Sequence, residues 1–205
     1  MKTRTPSLSA FAVPAALVVS MACAALPAHA APVKYDIDPN HTYPSFTADH
    51  FGGVSTWRGK FKRSAGTVVL DQQAQNGSVD VKVDTSSIDF GHDKLNTHVK
   101  SPEFLDVEKY PTANYTGKLV KFRDGLPTEV DGTLTLHGVT KPVALKIDSF
   151  KCSTNPLTKK DFCGANASGE INREDFGIAY GKQYGFDMKT GLQIQVEAIK
   201  SGPGE

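Results

Sequence analysis

The residues best suited to acid–base chemistry or metal binding are five histidines beyond position 30: His41, His50, His92, His98 and His137. An imidazole with an ordinary pKa of about 6.5 exchanges a proton readily at neutral pH, which suits it to general base catalysis. None of the five has the HxxxH or HExxH spacing of a zinc site. We therefore interpret them as hydrogen-bonded structural residues and predict no metal ligands. An enzyme that uses His50 or His98 as its general base remains an alternative.

Other catalytic arrangements are not indicated by the sequence. No GxSxG motif marks a nucleophilic serine, and Gly52-Gly53 lacks the context of a phosphate-binding loop. The chain has 22 acidic residues, so that some pair of carboxylates always lies close enough to resemble a glycosidase site. We predict no catalytic residues.

Two cysteines, Cys152 and Cys163, follow the first thirty residues. An even pair in an exported chain indicates a disulfide, here across a hairpin whose loop contains Asn155-Pro156. Closing so short a loop contributes on the order of 2–3 kcal/mol to stability in the chain-entropy description. Neither cysteine belongs to a CxxC pair, so redox catalysis is not indicated.

Residues 1–30 have the composition of an export signal. Two basic residues stand near the start, an uncharged run follows over Leu8–Ala25, and Ala28 and Ala30 supply the small residues of a cleavage site. We predict a signal peptide that is cleaved after Ala30. Lipid attachment at Cys23 is the rival interpretation, but the residues before this cysteine form a poor lipobox.

Charge and hydropathy limit the class of partner. The chain has 23 Lys and Arg against 22 Asp and Glu, and the two signs are interleaved. This balance argues against nucleic acid or an anionic membrane surface as the main partner. No second apolar run is long enough to span a bilayer, so we do not expect an integral membrane protein. We predict one domain over residues 31–200 and a flexible tail over 201–205; the sequence leaves the oligomeric state open.

Apolar residues alternate with charged ones over Gly77–Asp84, Pro142–Phe150 and Gly191–Glu197. A period of two places the apolar residues on one face of a strand and the charged residues on the other, which is typical of antiparallel sheets. Further strands are predicted at Val33–Ile37, Ser45–Phe51, Arg58–Leu70, Ala113–Phe122, Glu129–His137 and Phe162–Asn172. Seven to nine such strands must bury one face in a sandwich or a closed barrel. An outer-membrane barrel is disfavoured, because the sequence has no aromatic girdles and its strands are unequal in length.

One segment interrupts the β pattern. His92–Lys100 places Leu95 and Val99 on one side of a short amphipathic helix, which Pro102 should end. An irregular stretch then continues to Tyr110. We predict that this helix and loop cap the open end of the barrel, with His98 as the residue there that meets a ligand.

The barrel interior admits two interpretations. A barrel of about eight strands either fills its interior with side chains or keeps room for one ligand. The predicted inward faces mix branched aliphatic residues with phenylalanines and Trp57, which suits an apolar molecule. A filled barrel that acts only as an interaction module is not excluded by composition.

Several motifs of the sequence resemble those of a known protein family. Five of them occur in order between Tyr35 and about Lys200: YDIDPNHTYPSFTADHFGGVSTWRGKFKRSAGTVVLD, VDTSSID, HVKSPEFLDVEKYP, GTLTLHGVTKPV and INREDFGIAYG. Together they resemble YceI-like proteins over nearly the whole chain beyond the export signal. The pair Cys152 and Cys163 resembles a proteobacterial branch of that family.

The resemblance implies an all-β protein: an extended antiparallel lipocalin-like barrel of about eight strands, exported to the bacterial periplasm. It also implies an apolar cavity that binds a polyisoprenoid, either a polyprenyl lipid or the tail of a ubiquinone-type quinone, with no further cofactor and no established catalytic residues. His50, Trp57 and His98 are candidates for contacting a polar head group at the mouth, and His137 is interpreted as a turn residue. The complete set of expected ligand contacts is Phe46, His50, Trp57, Phe61, His98, Phe104, Leu105 and Phe122.

Overall fold

A computed structural model describes residues 31–202 of the chain. The predicted signal peptide and its cleavage site lie outside the described residues, as do the last three residues of the predicted tail. The strands are β1 (Val33–Ile37), β2 (Tyr43–His50), β3 (Ser55–Phe61), β4 (Ser64–Asp71), β5 (Asn76–Asp84), β6 (Ile88–Asp89), β7 (Thr112–Val120), β8 (Glu129–Leu136), β9 (Val139–Pro142), β10 (Leu145–Thr154), β11 (Asp161–Asn172) and β12 (Lys189–Lys200). The helix α1 spans Asp93–Lys100, and short 3-10 turns cover Thr85–Ser87, Arg173–Phe176 and Lys182–Tyr184.

Eight strands close into an antiparallel barrel in the order β1-β4-β5-β7-β8-β10-β11-β12, and β12 returns to β1. The strand β12 pairs with β11 from Lys189 to Ile199, which is nearly its whole length. Its first half also pairs with β2, whereas its last residues pair with β1. The strands β2, β3 and β6 therefore branch from the ring, and β9 lies beside β8. The prediction of an all-β antiparallel barrel of about eight strands is confirmed.

The alternating pattern of β5 is reproduced in its burial. Val79, Val81 and Val83 are half-buried, while Asp80 and Lys82 between them are exposed. Because side chains alternate across a strand, this pattern alone directs the valines into the barrel. The predicted faces of β5 are confirmed.

Two predicted strands are each divided in the structure. Arg58–Leu70 is not one strand but β3 and β4, because the chain leaves the branch and joins the ring at Lys62 and Arg63, whose amides bond to the Ser87 carbonyl and hydroxyl. The prediction of a single strand over Pro142–Phe150 is also wrong. Pro142 ends β9, and the ladder resumes only at Leu145.

Three histidines have structural roles. The His41 ring lies 2.7 Å from an Asp38 carboxylate oxygen, in a turn where Asp38 also accepts the Asn40 amide. His92 precedes α1 and accepts the Leu95 amide, so the helix begins one residue later than predicted. His137 lies in the β8–β9 turn with φ 51°, and its Nδ1 is 3.1 Å from the Phe176 carbonyl oxygen. Its interpretation as a turn residue is confirmed.

One end of the barrel is solid, and we call it the filled end. The β4–β5, β7–β8 and β10–β11 connections lie here, as the strand registers require. Leu70, Leu119 and Val130 are at most 5% exposed, and Phe122 and Phe150 pack against the same core. Leu119 lies 2.7 Å from the point where a side chain on Gly77 would begin, so glycine there makes this packing possible.

The disulfide lies near the filled end. Cys152 and Cys163 face each other across the β10–β11 ladder, with their Cα atoms 4.0 Å apart, and they are joined. The predicted hairpin disulfide is confirmed.

Candidate ligand-binding cavity

The opposite end of the barrel, which we call the capped end, encloses a cavity of about 470 Å³. This volume lies within the range of roughly 300–1,000 Å³ that is common for small-molecule sites. Apolar side chains dominate its wall, among them Val81, Val83, Ile88, Leu134, Leu136, Leu145, Ile171, Leu192 and Ile194. These residues occupy alternate positions of their strands, so the period of two that forms the barrel also forms the lining.

The helix α1 is fixed over this cavity by hydrogen bonds at its N-terminus. The Asn96 side chain accepts the Phe90 amide at 2.8 Å and donates to an Asp89 carboxylate oxygen at 3.0 Å. Asp89 also accepts the Gly91 amide at 2.9 Å. These bonds, the Gly91 amide first, lower the pKa of Asp89 from 3.8 to about 2, so it is ionised at neutral pH. The helix ends at Lys100, and Ser101 caps it directly before Pro102, which was predicted to end the helix.

The stretch that follows α1 is irregular but held at both ends. The Leu105 amide donates to the Val99 carbonyl at 3.1 Å, and the Thr85 hydroxyl donates to the Tyr110 carbonyl at 2.7 Å. Leu105 is 8% exposed within the core, and Phe104 beside it lines the cavity. Residues 92–110 therefore form a cap over the cavity, and we use that name below.

Aromatic side chains surround the cavity mouth in two groups. In the first, the rings of His98, Phe104 and Tyr180 have centroids 4.5–5.1 Å apart. In the second, the His50 ring contacts Phe51 at 4.5 Å and Phe186 at 5.2 Å, with Trp57 at 5.9 Å. Edge-to-face and tilted ring contacts of this kind stabilise each group.

The structure brings seven of the eight expected ligand contacts to this one cavity: Phe46, His50, Trp57, Phe61, His98, Phe104 and Leu105. Phe122 does not line it. This residue follows β7 at the filled end, where it packs against the core. An inward-facing aromatic residue was correctly inferred, but a strand pattern does not show at which end of the barrel it lies. The role of the seven residues in ligand binding stays a prediction.

Polar residues of the wall were missed by the sequence reasoning. Arg173 follows β11, and its guanidinium donates to the carbonyls of Ile178 at 2.9 Å and Tyr180 at 2.7 Å. Burial lowers the pKa of Arg173 from its usual value. The Thr190 hydroxyl is buried in the wall without a hydrogen-bond partner in residues 31–202. Arg173 belongs to the INREDFG motif, and a charged residue directly after a strand was the signal that could have identified it.

Tyr115 is a further polar residue of the wall, and its hydroxyl is already occupied. It donates to the Val143 carbonyl at 2.9 Å, and burial raises the pKa of the phenol above its usual range. The phenol is therefore neutral at any physiological pH and contributes no charge to the cavity.

The histidines of the mouth do not form a catalytic arrangement with carboxylates. His98 Nδ1 lies 3.9 Å from the Glu103 carboxylate, which exceeds a hydrogen-bond distance of about 3.2 Å. His50 is surrounded by aromatic rings. Across residues 31–202, no group of three or more His, Cys, Asp or Glu side chains is placed to hold a metal ion.

The fold and the cavity define a class of protein: a closed antiparallel barrel with an apolar, ligand-sized interior under a helical cap. The sequence pattern of the YceI-like domain matches residues 35–198, and the chain belongs to this family. Protein YceI from Salmonella arizonae and its counterpart from Salmonella paratyphi B are each 36% identical over 150 residues, which cover 73% of this chain and 77% of the relative.

Solved structures share the fold. Burkholderia cenocepacia BcnA matches 79% of this chain and 99% of its own with a TM-score of 0.62 at 19% identity. The Campylobacter jejuni YCEI protein matches 73% and 88% with a TM-score of 0.60 at 24% identity. A polyisoprenoid binding domain from Saccharophagus degradans, implicated in plant cell wall breakdown, matches 82% and 99% with a TM-score of 0.59 at 14% identity. Among the described residues, no helix has the length and apolarity needed to cross a membrane.

Proposed function

We propose that this protein is a periplasmic carrier that binds an isoprenoid lipid, either a polyprenyl chain or the tail of a quinone, inside the cavity at the capped end. The observation that carries the proposal is the cavity itself, which is apolar, lined on one side by the cap and about 470 Å³ in volume. The polyisoprenoid binding domain from Saccharophagus degradans, which has the same fold, supports this class of ligand.

The energetics of such a complex are favourable. Burial of a methylene contributes about 0.8 kcal/mol, so an isoprene unit of about five carbons contributes roughly 4 kcal/mol. Loss of translational and rotational freedom costs on the order of 4–15 kcal/mol. A few isoprene units in an apolar cavity therefore offset the cost of association without any polar contact.

An enzyme with a cavity histidine as general base is the alternative, and the geometry gives it less support. A general base needs an orienting partner within hydrogen-bond distance, and the nearest carboxylate to His98 is 3.9 Å away and well exposed. The aromatic rings around His50 offer no such partner. The wall fits retention of a ligand better than its conversion.

Extraction of the protein tests the carrier function. The full chain is expressed in a Gram-negative host and recovered from the periplasmic fraction, and its mass should correspond to a mature chain that begins at Ala31. We expect organic extraction to release an isoprenoid lipid that mass spectrometry identifies. Delipidated protein should take up a polyprenol or a quinone from detergent solution.

A substitution inside the barrel provides the matched variant. Ala113 lines the cavity and is 7% exposed, so Ala113→Phe should fill the cavity and reduce uptake by about tenfold or more. Thr116→Phe adds the same ring to the exposed side of the same strand and should leave uptake unchanged. The proposal is wrong if no isoprenoid co-purifies and the delipidated protein takes up neither ligand.

A further inference from the structure

The cavity wall contains two polar groups that the apolar tail of a ligand would not use. Arg173 and Thr190 lie on adjoining strand ends, since Ile171 pairs with Thr190 and the Arg173 amide donates to the Met188 carbonyl at 2.9 Å. This register makes the two residues diagonal neighbours on the inner face, with Cα atoms roughly 7–8 Å apart. Both side chains line the same cavity.

Both groups have unused hydrogen-bonding capacity. The Arg173 guanidinium uses two of its donors for the carbonyls of Ile178 and Tyr180, and it forms no ion pair in the described part of the chain. The Thr190 hydroxyl is buried without any partner there. A buried hydroxyl that lacks a partner costs stability, so its presence in an apolar wall needs an explanation.

We propose that Arg173 and Thr190 form a head-group subsite that binds an uncharged, oxygen-bearing head group, such as a quinone carbonyl or an alcohol, while the apolar wall binds the tail. This subsite rests on the proposed carrier function and specifies which lipids the cavity accepts. The guanidinium donates to the head-group oxygen, and the Thr190 hydroxyl forms a second hydrogen bond with the same group.

Neighbouring carboxylates explain why the head group is uncharged. Asp49 lines the cavity beside Arg173, and its carboxylate accepts the amides of Gly52, Gly53 and Asp187 at 2.6–2.9 Å. These bonds, the Asp187 amide first, lower the pKa of Asp49, so that it stays ionised. Asp49 lines the same cavity as Arg173, and Asp187 contacts Asp49 through its amide; these two carboxylates and Glu174 all act electrostatically on the guanidinium, so negative charge already surrounds the single cation of the subsite. A diphosphate would therefore meet uncompensated negative charge.

Four ligands with one geranylgeranyl tail test the subsite: the plain hydrocarbon, the alcohol, a naphthoquinone and the diphosphate. Affinities are measured on the delipidated mature protein: the naphthoquinone by quenching of the Trp57 fluorescence, and the other three ligands by displacement of the naphthoquinone. We expect the quinone and the alcohol to bind about tenfold more tightly than the hydrocarbon, and the diphosphate to bind no more tightly than the hydrocarbon. Equal affinity for all four, or tightest binding of the diphosphate, overturns the subsite. Failure of every ligand to bind would instead contradict the carrier function.

Variants assign the preference to the two residues. Thr190→Val should lower the affinity for the quinone by about fivefold, leave the hydrocarbon unchanged and raise the urea midpoint of the empty protein. Arg173→Met should remove the preference for the quinone over the hydrocarbon, and the hydrocarbon affinity of the same variant reports any damage to the cavity. Thr47→Val, one residue along β2 from the cavity-lining Ala48, is the matched control and should change no affinity.

A third variant addresses the exclusion of charge. It also removes an acceptor of the Gly52, Gly53 and Asp187 amides, so its affinity for the hydrocarbon reports any damage to the cavity. Asp49→Asn removes one negative charge and should increase the affinity for the diphosphate by about fivefold or more, with little effect on the quinone. An unchanged affinity for the diphosphate would show that Asp49 does not exclude charged head groups and would overturn that part of the proposal. Loss of the quinone preference in Thr47→Val as well as Thr190→Val would overturn the assignment to Thr190.

Discussion

The filled end and the capped end of this barrel use the same strands and the same alternating pattern, yet only one end is solid. At the filled end, Leu70, Leu119 and Phe122 meet in a closed core. At the capped end, β12 pairs with β2 instead of β1. The three strands β2, β3 and β6, which branch from the ring, make the barrel wall wider there. The cap covers part of this wider space without filling it. A period of two therefore determines which side chains point inward, whereas the path of the strands determines how much volume they leave.

The largest expected difference between the two ends is in the free energy of unfolding that is lost when a leucine is replaced by alanine. Leu119→Ala leaves a void in a close-packed region and should lower the free energy of unfolding by about 3 kcal/mol. Leu134→Ala on the neighbouring strand enlarges an existing cavity and should cost about 1 kcal/mol. Urea unfolding of both variants measures the difference. Similar losses would mean that the capped end is packed as tightly as the filled end.

The disulfide should stabilise the fold without affecting the cavity. Replacement of Cys152 and Cys163 by serine should lower the free energy of unfolding by on the order of 2–3 kcal/mol, because the short loop no longer restricts the unfolded chain. Ligand affinity at 25 °C should be unchanged, since neither cysteine lines the cavity. A parallel loss of affinity would show that the two ends are coupled.

A smaller effect is expected from the cap. Phe104→Ala removes a ring that lines the cavity, and the lost burial of apolar surface should be worth about 1.5 kcal/mol. Ligand dissociation should be about tenfold faster, and the urea midpoint should fall less than in Leu119→Ala, because Phe104 is only partly buried against the core. Leu105 is unsuitable for this test, because it is buried in the core and its replacement would also destabilise the fold. Stopped-flow transfer of a quinone to vesicles measures the rate. An unchanged rate would mean that the cap does not limit release.

The smallest expected effect is a loss of stability of the cap at low pH. The pKa of Asp89 is lowered to about 2 in the folded protein, from 3.8. Its contribution to stability is therefore present above pH 3.8 and is lost as the pH falls towards 2. Hydrogen exchange of α1 should accelerate over this interval before exchange at the filled end does. In Asp89→Asn, exchange of α1 should already be faster at neutral pH and should lose this pH dependence; identical profiles would contradict the role of Asp89.

Much of this organisation was predictable from local patterns. Alternation in β5 and the i, i+4 spacing of Leu95 and Val99 act within a few residues, so the strand faces and the helix followed from the sequence. The break at Lys62 and the position of Phe122 were not predictable, because both depend on which strand lies alongside. Arg173 and Thr190 meet only through the register of β11 with β12. The alternating sequence pattern therefore identified residues on the inner face of the barrel. It did not identify residues that become neighbours only through the pairing of two strands.

The pairing of β12 with three other strands also affects the order in which the protein folds. Within residues 31–202 this strand comes last, and it pairs with β1, β2 and β11. Tyr35 lies opposite Lys200, so the contact that closes the ring joins the two ends of the domain. Contacts between residues so distant in sequence form slowly, because a long loop must first be closed. The ring consequently cannot close before β12 has joined it, and the cavity is complete only after that step.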